Sequence, residues 1–151
     1  MKIARMLLMI VCVVTASQFA AAQEISKHDQ IKIAVQAVCP MTGQKLGSMG
    51  QPLKVKIGEE EIFLCCKGCL KVKVDPKHWA TIHSNFAKAQ QICPVMKQKL
   101  PENAKWTIVK GQIVYICCPP CTKKIAADPA TYLGKIDELY LASLRKRSTM
   151  R

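Results

Sequence analysis

Two stretches of this chain, Phe63-Leu64-Cys65-Cys66-Lys67-Gly68-Cys69 and Tyr115-Ile116-Cys117-Cys118-Pro119-Pro120-Cys121, share one layout: an aromatic, strand-like run that ends in Cys-Cys-x-x-Cys. Upstream of each stands a single Cys-Pro, at Cys39-Pro40-Met41 and at Cys93-Pro94-Val95-Met96. Gln44-Lys45-Leu46 then matches Gln98-Lys99-Leu100, and Asp75-Pro76 downstream matches Asp128-Pro129. The order is kept with only small loop changes, so the chain carries an internal duplication.

Each copy predicts the same local structure. A knuckle-like turn at Cys-Pro leads into a β-hairpin, Leu53 to Ile57 with Glu61 to Leu64 around Gly58, and Trp106 to Val109 with Ile113 to Ile116 around Gly111. A short helical or irregular stretch follows each cluster. Asp75 and Asp128 then read as helix N-caps, each with Pro at the first helical position. The helices so begun place Trp79, Ile82 and Phe86 on one face in the first copy, and Leu133, Ile136, Tyr140 and Leu144 on one face in the second. A further helix is expected within residues 24–37, capped near Ser26 or Asp29. The organisation read from this is a leader at 1–22, an N-terminal segment at 23–35, Cys-rich repeats at 36–90 and 91–144, and a basic, fraying tail at 145–151. The fold class is small α+β.

Met1-Lys2-Ile3-Ala4-Arg5, the apolar run Met6 to Val14 and Ala20-Ala21-Ala22 follow the three-part pattern of a secretory signal peptide, too short in its apolar part to span a bilayer. An exported protein, periplasmic or secreted, is expected, with Cys12 lost on cleavage and no membrane span afterwards. The chain has 23 Lys+Arg against 10 Asp+Glu, a net charge of +13. Only Lys2 and Arg5 of those basic residues lie in the leader, so the exported form stays strongly basic. Such a surplus suits an acidic protein or an anionic surface. The lysines are scattered and few aromatics interleave them, which argues against a specific nucleic-acid site.

A repeat this small cannot bury enough apolar surface to be secure alone, so something must staple it. Cys39, Cys65, Cys66, Cys69, Cys93, Cys117, Cys118 and Cys121 are the means, and three chemistries compete for them. Zn2+ takes four ligands tetrahedrally, and Cys66-x-x-Cys69 and Cys118-x-x-Cys121 have the spacing of its usual close pair, with Cys39 and Cys93 arriving across the hairpin. Cys65 and Cys66 are neighbours at a strand end, where side chains alternate, so both reach one ion only if the strand breaks there. Thioether plus thiolate ligands also suit Cu+, and Met41, Met96 and Met49 lie near the single cysteines. Export favours disulfides instead, and eight cysteines allow 105 pairings. A disulfide-stapled basic interaction module follows from that reading. The third chemistry is thiol–disulfide exchange through the Cys-x-x-Cys pairs, although no thioredoxin-like βαβ pattern surrounds them. His28, His78 and His83 are expected on the surface rather than as ligands. Nothing else in the chain suggests an enzyme.

The two clusters, taken with Asp75-Pro76-Lys77-His78-Trp79 and Asp128-Pro129-Ala130-Thr131-Tyr132, resemble the YHS and TRASH families of small heavy-metal-binding domains. The resemblance implies a treble-clef-like fold in two tandem copies and no particular reaction. Carried over by position, it implies Cys39, Cys65 and Cys69 as ligands in the first copy and Cys93, Cys117 and Cys121 in the second. The chain departs from those families at Cys66 and Cys118, where a small residue is usual, and at Pro40 and Pro94, where Gly is common.

Overall fold

A computed structural model describes residues 25–150. The expected leader, with its cleavage site and Cys12, lies outside the described residues. Among those residues no helix is long and apolar enough to cross a membrane.

The chain opens with α1, Lys27–Gln36, whose Ser26 cap accepts from the Asp29 N–H at 3.1 Å. It ends where Ala37 turns to φ 65°. Strands β1, Leu53–Ile57, and β2, Glu60–Leu64, pair antiparallel with Leu53 opposite Leu64. Gly58 at φ 60° starts their two-residue turn, a conformation that costs glycine nothing. After a 3-10 turn at Lys67–Lys71, α2 runs Pro76–Gln90, capped by Asp75, whose carboxylate accepts from the Lys77 N–H at 2.7 Å. The second copy repeats the order with β3, Lys105–Val109, and β4, Gln112–Ile116. Here the post-cluster segment is a true helix, α3, Pro120–Ala127. Pro120 sits at its first turn, preset for helix, whereas Lys67-Gly68 offers no such bias.

Helix α4, Pro129–Thr149, continues through the basic stretch that was expected to fray as a tail. Its buried Ile136 and Tyr140 lie against α1 and α2, which gives the last turns an anchored base. The helix expected within 24–37 is α1. The hairpins match expectation, with one residue added at the start of three of the four strands, Glu60, Lys105 and Gln112.

The core explains why the duplication is not two separate beads. Helices α1, α2 and α4 pack together, and Val35, Ile82, Phe86, Ile136 and Tyr140 close the main apolar cluster with β4. Helix α2 closes the first repeat and opens the second. A smaller cluster, Leu46, Phe63 and Leu64 with Cys39, Cys65 and Cys69, surrounds the first cysteine set. The hairpins also touch. The Glu61 N–H donates to the Gly111 carbonyl at 2.7 Å, and a Cβ on Gly111 would collide with the Glu61 side chain. Ile82 and Phe86 are buried as the helical period predicts, but Trp79 on that same face is only half-buried and borders a cleft. Leu133 and Leu144 likewise stay partly exposed.

Candidate metal centres

The first thiol of each repeat is placed by a turn that the sequence repeats nearly residue for residue. The Cys39 N–H donates to the Gln44 carbonyl at 2.8 Å and the Gly43 N–H to the Cys39 carbonyl at 2.9 Å. In the second repeat the same bonds run from Cys93 to Gln98 at 2.8 Å and from Lys97 to Cys93 at 2.9 Å. Val38 bridges Lys45, and Ile92 bridges Lys99, which closes each knuckle at its base. The knuckle needs left-handed backbone at its fourth residue after the Cys. Gly43 supplies this at φ 69°, while Lys97 is held there at φ 57° against its own preference. Gly43 is further constrained because a Cβ there would lie 2.5 Å from the His78 ring.

The cluster end is held by a residue that motif reading passed over. Gln36, the last residue of α1, is fully buried, donates to the Phe63 carbonyl at 2.7 Å and accepts from the Phe63 N–H at 2.9 Å. Gln90, the last residue of α2, does the same to Tyr115 at 2.7 and 2.9 Å. Each amide also donates to the carbonyl just before the first Cys, at Val38 and at Ile92, at 3.0 Å in both repeats. One side chain thus acts as a short extra strand that joins the knuckle to the strand delivering Cys65 or Cys117. The signal that could have found it is a Gln three residues before each Cys-Pro.

These supports bring three thiols together in each repeat. The Sγ atoms of Cys39, Cys65 and Cys69 lie within 4.8 Å of one another, as do those of Cys93, Cys117 and Cys121. Cys69 is 3.7 Å from Cys39 and 3.5 Å from Cys65, and Cys121 is 3.7 Å from Cys93 and 3.9 Å from Cys117. Four thiolates at about 2.3 Å around a tetrahedral Zn2+ stand about 3.8 Å apart. A disulfide has its sulfurs at about 2.05 Å. All eight thiols of the described residues are free, and each triad converges on a shared point rather than pairing off.

Cys66 and Cys118 stand beside these triads. Strand alternation turns Cys65 inward and leaves Cys66 partly exposed on extended backbone, 3.9 Å from Cys69. Cys118 comes nearer, 3.7 Å from Cys117 and 3.2 Å from Cys121. None of the histidines joins a triad. His28 pairs with Asp137 at 2.7 Å, His78 lies over Gly43, and His83 is 3.3 Å from Glu60. His83 is therefore no surface residue. It sits among Trp79, Trp106 and Tyr115. Met49 and Met96 are exposed at 62% and 47%, and Met41 packs against the first cluster.

The electrostatics divide the thiols by position. Burial opposes ionisation of Cys39, but the N–H groups of Cys65, Met41 and Thr42 outweigh it and bring the thiol down to about 7. Cys93 is lowered in the same way by Met96, Cys117 and Val95 against the effect of its burial. Cys69 is pushed up to about 12, first by burial and then by the thiols of Cys65, Cys39 and Cys66. Cys121, Cys65 and Cys117 are likewise raised, with burial the largest cause. Without a cation, only one thiolate per triad is well supported. A bound cation supplies the charge that would let all three ionise.

Comparison with family models, with curated proteins and with solved structures gave no significant match.

Proposed function

We propose that this chain is an exported metal-binding protein that holds one thiolate-coordinated ion per repeat, Zn2+ first and Cu+ second. One observation carries the reading: three thiols from two separated segments converge in each repeat within 4.8 Å of one another, two of the three spacings at 3.5 to 3.9 Å, the spacing of a thiolate shell. In the first repeat Cys39, Cys65 and Cys69 are all buried, as suits a closed site. Cys66 and Cys118 stand where a fourth thiolate would enter. The order knuckle, hairpin and helix in each repeat supports a pair of treble-clef-like modules and the likeness to YHS and TRASH domains. Met1 to Ala22 supports export, and the reading assigns the protein to metal storage, trafficking or sensing, or to structural sites, with no turnover. Titration of reduced protein with Zn2+ and with Cu+ against a chromophoric chelator tests it. Two equivalents of one ion held against the chelator are expected. Retention of neither ion would sink the reading.

A second reading has its own observation. Cys118 and Cys121 lie 3.2 Å apart, and the partly exposed Cys118 is lowered by its bonds to Cys121 and Cys117. That pair suits thiol–disulfide exchange. An insulin-reduction assay decides it, and loss of activity in Cys118→Ser but not Cys66→Ser would favour it.

A further inference from the structure

The two repeats differ most where α2 meets the second hairpin. Superposing Gln36 on Gln90 and Phe63 on Tyr115 sets Asp29 against His83, Ile33 against Ala87 and Lys54 against Trp106. In the first repeat Lys54 reaches from β1 to Asp29 on α1 at 3.1 Å and to Glu61 at 3.0 Å, and Ile33 packs onto the small cluster. The gap between helix and hairpin is filled there. In the second repeat the salt bridge is replaced by rings, His83 and Trp106 with centroids 5.1 Å apart, and Ile is replaced by Ala87. The result is a cleft of about 1670 Å³ between α2 and the segment leading into β3.

Its walls have a definite chemistry. The floor is apolar and aromatic, and Trp106 and Ile92 are exposed at 53% and 36%. Lys88, Lys97 and Lys99 stand around it against the single acid Glu102. None of these lysines has an ion pair among the described residues. The volume exceeds the range of about 300 to 1,000 Å³ typical of small-molecule sites, so a longer occupant fits. A second copy is disfavoured, because both partners would bring a large positive charge to a lysine-rimmed surface. Nucleic acid fits less well, since Tyr115 is buried and Trp106 is a single exposed ring rather than a row of rings on which successive bases would stack. A polypeptide has one more point of attachment: β3 pairs only with β4, and its other edge makes no main-chain hydrogen bond among the described residues.

We propose that this cleft is a docking site for an extended segment of a partner protein in which acidic side chains alternate with large apolar ones. The apolar side chains fill the space that Ile33 and Lys54 close in the first repeat, and the acids meet Lys88, Lys97 and Lys99. No cysteine lines the cleft.

The test uses the full chain and three fluorescein-labelled nonapeptides: Glu alternating with Leu, Lys alternating with Leu, and Glu alternating with Ser. Anisotropy should show the Glu/Leu peptide binding about tenfold more tightly than either of the others. Trp106→Ala, which removes an exposed ring, and Ala87→Ile, which refills the cleft, should each weaken it about tenfold while leaving bound metal unchanged. Lys88→Glu, on α2 and outside the knuckle, should weaken it too and flatten the salt dependence. Equal binding of the Glu/Leu and Lys/Leu peptides, indifference to Trp106→Ala, or binding of phosphatidylglycerol vesicles or oligo-dT in place of the peptide would overturn the proposal. Peptide binding by protein that holds no metal would leave it standing and sink the metal reading alone.

Discussion

The side-chain amide of Gln36 pairs with both main-chain groups of Phe63, donating at 2.7 Å and accepting at 2.9 Å. It does so from the end of α1, two residues before the strand gives way to Cys65. Gln36→Ala strands a buried N–H and a buried C=O, at a cost on the order of 2 to 4 kcal/mol. Denaturation should show that loss, and metal affinity should fall at the first repeat more than at the second. Gln90→Ala should reverse the order, with a larger loss of stability because α2 belongs to both repeats. A mutant with unchanged stability would show that the clamp does not hold the knuckle.

Gln36 was illegible from composition because a Gln on a charged, weakly amphipathic helix reads as a solvated position. Only the two repeats laid together, Gln36 on Gln90, expose it. The hairpins and the Asp-Pro helix starts were legible, because turn glycines, strand alternation and an N-cap followed by Pro are local signals. Alternation also left two outcomes for Cys65 and Cys66, both at one ion if the strand broke there or one turned away if it did not; Cys65 is buried and Cys66 partly exposed. The extent of α4 beyond Arg145 was not legible, since burial of Ile136 and Tyr140 against α1 and α2 is a tertiary effect. The same is true of Trp79, whose helical face is apolar but opens on a cleft.

Gly43 and Lys97 occupy the same left-handed position, and a Cβ is tolerated in only one of them. Gly43→Ala forces a Cβ to 2.5 Å from the His78 ring at φ 69° and should destabilise by about 1 to 3 kcal/mol. Lys97→Gly relieves the strained φ of 57° and should raise stability by about 0.5 to 1 kcal/mol. Thermal melts of the metal-bound protein check both signs.

The metal-free first repeat should be most stable near pH 9. Cys39 is lowered from 9.0 to about 7, so its contribution is fully present above 9 and is lost as pH falls through 7. Cys69 is raised from 9.0 to about 12, so its contribution is present below 9 and is lost as pH rises through 12. Denaturant midpoints measured across this range should rise and then fall, and Cys39→Ser should reduce the rise between 7 and 9, leaving the part that the lowered Cys93 contributes. Metal-bound protein should lose its ion on acidification, because protons compete for the same thiolates.

The triads and the flanking thiols should separate on substitution. Cys69→Ser removes the atom nearest to both Cys39 and Cys65, and should abolish one site while leaving the other. Cys66→Ser should keep both ions, with affinity at its own site reduced. Cys118→Ser should weaken its site more, because Cys118 lies 3.7 and 3.2 Å from two triad thiols while Cys66 lies 3.9 Å from one. Chelator competition on each variant reads these differences. Equal loss in Cys66→Ser and Cys69→Ser would place Cys66 inside the shell.

Native mass spectrometry of the reduced chain, after exposure to Zn2+ and removal of excess ion, measures the central claim most directly. The account predicts a mass increase of two ions, with one lost in Cys69→Ser and both in Cys69→Ser with Cys121→Ser. A chain isolated from its own compartment with no metal and a mass lower by the hydrogens of four disulfides would contradict it.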